Sequence, residues 1–150
     1  MAAKNQPNAD TGAESFTKEE RAALKERARE LKVKQTQEEA EQDVLNKIAE
    51  MPASEGKIAL GLHELVTEHA PQLLPKTWYG MPGWALDGKI VIFFQSADKF
   101  KARYSTLGFN DTAQLDDGSM WPTAFAISDL EANRDRVVEL IKRAAVAGNG

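Results

Sequence analysis

The chain is 150 residues long, carries a net charge of −4 and contains no cysteine. That length fits one domain able to bury a core without staples, and the mild acidic balance excludes a dedicated nucleic-acid binder, which shows a basic excess. Missing thiols exclude disulfides, thiolate metal sites and cysteine nucleophiles. With no apolar run near the roughly 20 residues of a membrane span, a soluble cytoplasmic protein is expected.

Residues 1–15 are polar and small, with one proline, and read as a disordered tail. Thr17 and Glu20 have the spacing of a capping box, which predicts a helix over residues 17–34. Its apolar face is thin: Leu24, Ala28 and Leu31. A second helix is expected over residues 37–51, with Ala40, Val44, Leu45 and Ile48 on one stripe before Pro52. Together these make a helical extension, residues 16–51, ahead of a main domain at 52–147. Ser54 is the expected cap of a third helix ending near Ala70, where Ile58, Leu62, Leu65, Val66 and His69 recur at helical spacing. Residues 72–76 read as a Pro-bounded link.

Between Trp78 and Gln95 lies the strongest local signal. Asp87-Gly88 separates two apolar runs and accepts the positive φ values of a two-residue hairpin turn. The register that follows pairs Leu86 with Lys89, Ala85 with Ile90, Trp84 with Val91 and Met81 with Phe94. Alternation then puts Met81, Ala85, Ile90, Ile92 and Phe94 on a buried face, and Trp84, Val91, Phe93 and Gln95 on a mixed one. Residues 96–100 read as a polar turn, 101–106 as a strand, 108–118 as a loop rich in Asp, Asn and Gly, and 120–127 as a strand. Ser128 and Glu131 have capping-box spacing for a closing helix, with Leu130, Val137, Val138, Ile141 and Ala145 on one face. Helices, then strands, then a helix predict an α+β fold: an antiparallel sheet of about five strands with helices packed on one face, plus the extra N-terminal helices.

Motif chemistry is sparse. There is no nucleophile elbow, phosphate loop or zincin motif, so an enzyme ranks last. His63 and His69 are six apart on one predicted helix and face different ways; His69 reads as a structural core histidine and His63 as a surface one. Asp111, Asp116 and Asp117 crowd one loop, where loop-forming aspartate is favoured over a cation site because the spacing is not that of a calcium loop. The glutamates of the first two helices alternate with Lys and Arg and read as a solvated face. A small-molecule site is expected on the mixed sheet face. Trp84, Phe93 and Trp121 would supply aromatic walls, Gln95 and Tyr104 polar groups, and Lys101 and Arg103 an anion-facing rim.

Tyr79-Gly80-Met81-Pro82, followed by the Asp-Gly turn and the strand Ile90-Val91-Ile92-Phe93-Phe94, resembles the YdhG-like family of small bacterial proteins. The likeness runs from about residue 58 to 146. Residues 93–96 and 100–104, Leu115-Asp116-Asp117-Gly118 and Met120-Trp121-Pro122 look like an elaborated branch of it. The resemblance implies an α+β sandwich. Some members are described as frataxin-like intracellular iron chaperones and most have no assigned activity; no iron ligand is carried onto particular residues here. Three readings follow: metal handling, in which surface carboxylates hold iron weakly; a module binding a small anionic molecule; and a protein-binding role through residues 16–51.

Overall fold

The computed structural model describes residues 16–31 and 35–146; the expected tail at 1–15 lies outside them, as do residues 32–34 and 147–150. Helix α1, Lys18–Glu30, opens with the expected box: Thr17 accepts from the Glu20 amide and Glu20 returns to the Thr17 amide. Helix α2, Gln37–Ala49, carries a second box between Thr36 and Glu39. Helix α3, Ala53–His69, starts directly after Pro52 with no side-chain cap, so Ser54 does not play the part its residue type suggested.

Five strands follow in a plain meander. They are β1 (Leu74–Trp78), β2 (Met81–Leu86), β3 (Lys89–Gln95), β4 (Ser105–Phe109) and β5 (Ala124–Ile127), antiparallel in the order β1-β2-β3-β4-β5. β1 occupies residues expected to be a link. Pro75 hides it from a strand search, yet proline is tolerated on an edge strand, and β1 is an edge. The β1–β2 connection is as tight as the β2–β3 one: Tyr79 and Gly80, like Asp87 and Gly88, both have positive φ, as a type I′ turn requires.

The hairpin tip lies where expected, but the register slips after the second pair above it. Ala85 faces Ile90, whereas Trp84 faces Ile92 rather than Val91, because a bulge inserts Val91 unpaired. One extra residue reverses the alternation beyond it. Trp84 thereby joins Ile92 and Phe94 on the buried face, all three fully enclosed, while Met81, Ala85 and Ile90 move to the other side with Phe93.

The strand expected at 101–106 is displaced. Helix α4, Ala97–Phe100, ends at Lys101 in the left-handed region, and β4 begins only at Ser105, so Lys101 and Arg103 lie in a turn. β5 is shorter than expected, and Met120 is fully out in solvent. Ser128 does not cap the last helix. Instead Asp129 Oδ1 accepts from the Ala132 amide, and a single 3₁₀ turn at Glu131–Asn133 leads into helix α5, Arg134–Ala144.

Helices α3 and α5 contact one another across one face of the sheet. Leu62, Leu65 and Val66 of α3 meet Trp84, Ile92, Phe94 and Leu107 of the sheet and Ile141 of α5, all at most 1% exposed. Each such side chain stabilises the fold by about 1.5–3 kcal/mol relative to exposure. The expected extension divides in two. Val44 and Ile48 place α2 within this core, whereas the buried residue of α1 is Ala23.

Candidate functional site

The aromatic pocket expected on the sheet does not assemble. Trp84 is 0% exposed, because the bulge turns it into the core, where its indole Nε1 donates to His63 Nδ1 at 3.1 Å. Phe93 lies on the opposite face, half-buried, its ring 5.1 Å from that of Trp78 and laid flat where a side chain on Gly108 would stand. Gln95 is half-buried. Lys101 is exposed, 3.9 Å from Asp98, and Arg103 stacks on the exposed Tyr104 ring at 5.0 Å. These residues face three directions. Trp121 alone of the expected set borders a cleft rich in charge and aromatic surface.

That cleft has a volume of about 210 Å³ and lies between α5 and the long connection over residues 110–123. Trp121 and Phe125 form its aromatic walls, and Arg136 and Arg143 of α5 reach it from one side. A hollow of about 140 Å³ adjoins it, sharing Phe125, Arg136 and Leu140. The connection leaves β4 at Phe109 and takes the β3 carbonyls that lie beyond the last β3–β4 pair, Ile92 with Phe109. Asn110 N donates to Val91 O at 3.0 Å, while Thr112 Oγ1 and Asn110 Nδ2 donate to Ile90 O at 3.0 and 3.2 Å. Anchored so, the connection buries Ala113 and Leu115 and sets Trp121 at the mouth.

Arg136 and Arg143 are seven apart, two helical turns, so both project from the same side of α5. Arg136 lies over the Phe125 ring at 5.0 Å, and Arg143 Nη2 donates to Leu115 O at 3.4 Å. Among the described residues neither guanidinium has a carboxylate within ion-pair distance, although Asp117 and Glu139 stand at the rim. Stacking immobilises a guanidinium while leaving its in-plane N–H groups free, which suits a planar carboxylate. The heptad spacing of the two arginines was the signal available in the sequence. It was masked because α5 reads first as an amphipathic cover for the core.

The histidine roles are the reverse of those expected. His63 is buried, between the Trp84 indole and Glu41 Oε2, 2.9 Å from its Nε2, whereas His69 is half-buried beside Glu68. An indole N–H can only donate, so His63 Nδ1 accepts, and the ring is the neutral tautomer carrying its proton on Nε2 toward Glu41. This chain of three ties α2, α3 and β2 together.

A second polar cluster holds α1. Glu26 accepts from Lys47 Nζ of α2 at 2.9 Å and Lys99 Nζ of α4 at 2.7 Å, and Glu30 accepts from the Tyr79 and Gly80 amides, each at 3.0 Å. Burial works against the charged form of Glu26, but the hydrogen bonds and charges of the two lysines outweigh it, holding the carboxyl below its ordinary range. Lys47 is likewise disfavoured by burial and held above its ordinary value by Glu26.

Asp111, Asp116 and Asp117 are exposed, and among the described residues no three His, Cys, Asp or Glu side chains gather as a metal site would need. No described helix is long and apolar enough to cross a membrane. Compared with family models, with curated proteins and with solved structures, the chain matches none.

Proposed function

We propose that the protein is a binding module for a small planar carboxylate, held in the cleft between α5 and the 110–123 connection. One observation carries the reading: two guanidiniums from one helix side, without carboxylate partners among the described residues, line the same cleft as Trp121 and Phe125, Arg136 lying over the Phe125 ring. The aromatic walls supply burial, and the fork of Arg136 or Arg143 supplies orientation. Asp117 and Glu139 at the rim repel ligands of higher charge, so a monocarboxylate fits better than a polyphosphate. A cysteine-free chain is suited to a reducing cytoplasm, which is where we place it.

Weak iron handling is the second reading. It is supported by the family resemblance and by the α+β fold that the resemblance implies. Exposed oxygen donors such as Asp111 and Asp116 would hold the ion transiently.

A thermal-shift comparison separates the two. Benzoate at about 100 times its dissociation constant would stabilise the native state by about 2.7 kcal/mol, a rise in Tm of several degrees. The R136A/R143A variant should keep its own cooperative transition and lose that rise. Absence of any benzoate shift in the native protein contradicts the carboxylate reading. A shift with anaerobic ferrous ion that disappears in D111N/D116N/D117N would put the metal reading in its place.

A further inference from the structure

The contacts of α1 have the form of a ligand in a binding site. Tyr79 and Gly80 are the central residues of the tight β1–β2 turn, and their N–H groups both point at one carboxylate, making a turn-borne nest of successive amides of the kind that cradles phosphate and carboxylate groups. Glu30 fills it with both oxygens. Lys47 and Lys99, brought from α2 and α4, flank the same turn and converge on Glu26. Only a glycine at position 80 permits this, since a Cβ there would lie 2.2 Å from Glu26 Oε1. Two amide donors and two ammonium groups thus surround two carboxylates that arrive on one helix, four residues apart.

Beyond these contacts and Arg27, which lies over the Tyr79 ring at 5.8 Å and 3.6 Å from Glu30, that helix has little apolar burial to hold it. Leu24 and Leu31 remain 41% and 70% exposed, and Ala23 is its buried residue. Docking that rests on charge rather than apolar burial is reversible and open to competition by other anions.

We propose that the Tyr79–Gly80 nest, with Lys47 and Lys99, is a binding site for small polyanions of the phosphate class, and that Glu26 and Glu30 of α1 occupy it in cis. Lysines beside a backbone nest are the usual recognition elements for phosphate oxygens. Four N–H donor groups match a ligand with two adjacent anionic centres, as the two carboxylates do. A polyanion must displace α1 to enter, so the helix acts as an internal competitor. The site is separate from the α5 cleft: its cations are lysines and its ligand carries more charge.

Calorimetric titration with inorganic pyrophosphate, at constant ionic strength, is the test. Freeing the site by E26Q/E30Q should tighten binding roughly tenfold, because the displacement of α1 no longer lowers the competent fraction. Adding K47A and K99A to that variant should abolish binding. Equal affinity in native and E26Q/E30Q protein overturns the proposal, as does tightened binding that survives loss of both lysines. Should E26Q/E30Q fail to fold, native protein decides through hydrogen exchange of the α1 amides. Faster exchange with pyrophosphate than with sodium chloride of equal ionic strength supports displacement; unchanged exchange overturns it.

Discussion

The imidazole of His63 does its work by being neutral. With Nδ1 accepting from Trp84 and Nε2 donating to Glu41, both ring nitrogens are satisfied although the ring is buried, which avoids the cost of an orphaned polar atom. The two bonds differ in weight. Trp84 is fully enclosed, so Trp84→Phe removes packing and leaves Nδ1 without a donor, a loss of about 2–3 kcal/mol. The Glu41 side chain is 46% exposed, and water can replace it, so Glu41→Gln should cost less than about 1 kcal/mol. Denaturant midpoints of the two variants test the ordering; equal losses would contradict it. At this scale the sequence is least legible. A stripe drawn through Ile58, Leu62, Leu65 and Val66 extends equally well to His69 or to His63, and the choice depends on where the Trp84 indole points. Trp84 in turn points inward only because of a bulge one strand away.

At the scale of elements, the two hairpins and the bulge decide most of the architecture. Asp87-Gly88 announces its turn through residue type alone, and the Thr17–Glu20 box announces α1. The bulge announces nothing. Val91 sits in an unbroken apolar run, where nothing distinguishes an unpaired residue from a paired one, so the faces of β2 and β3 could not be read correctly above Ala85. Deleting Val91 should close the bulge with Trp84 still opposite Ile92, keeping Ile92 and Phe94 toward α3 and α5 and removing the buried Val91 side chain. The deletion variant should keep a cooperative thermal transition at a lower Tm; loss of that transition would show that the bulge itself is required for the fold. The docking of α1 is likewise an element-scale property, with a defined pH dependence. Glu26 titrates below its ordinary value in the folded state, so its contribution is complete above the unfolded value of about 4.3 and is lost as pH falls through the lowered one. Lys47 titrates above its ordinary value, so its contribution is complete below about 10.4 and is lost as pH rises through the raised one. Docking should therefore hold steady between about pH 5 and 10. The Gly80 amide resonance, which Glu30 holds, should move on acidification below that window, and in Glu26→Gln protein it should already be displaced at neutral pH. An unmoved resonance in the variant would mean that α1 is held by something other than these charges.

For the molecule as a whole, the sheet separates two charged regions. The β1–β2 turn and α1 lie toward the β1 edge, and Trp121 with the α5 arginines lies toward β5, at the opposite edge of the meander. The α+β class was legible in the order of periodicities, since helix-period and strand-period segments do not interconvert. The site was legible only in kind. Aromatic residues and cations with small-ligand chemistry were visible, but grouping them requires knowing which loop folds over which helix, and here backbone bonds to Ile90 and Val91 settle that. Lys101 and Arg103 sit near Phe93 in sequence, while Arg136 and Arg143 meet Trp121 only through tertiary packing. The central claim is that the latter group binds a carboxylate, and the three tryptophan indole N–H resonances in a ¹⁵N-correlated spectrum report on it directly. On titration with benzoate, the Trp121 indole should shift progressively to saturation while the Trp84 indole, hydrogen-bonded to His63 in the core, stays in place. A Trp121 resonance that does not move at benzoate concentrations that saturate any binding would contradict the account.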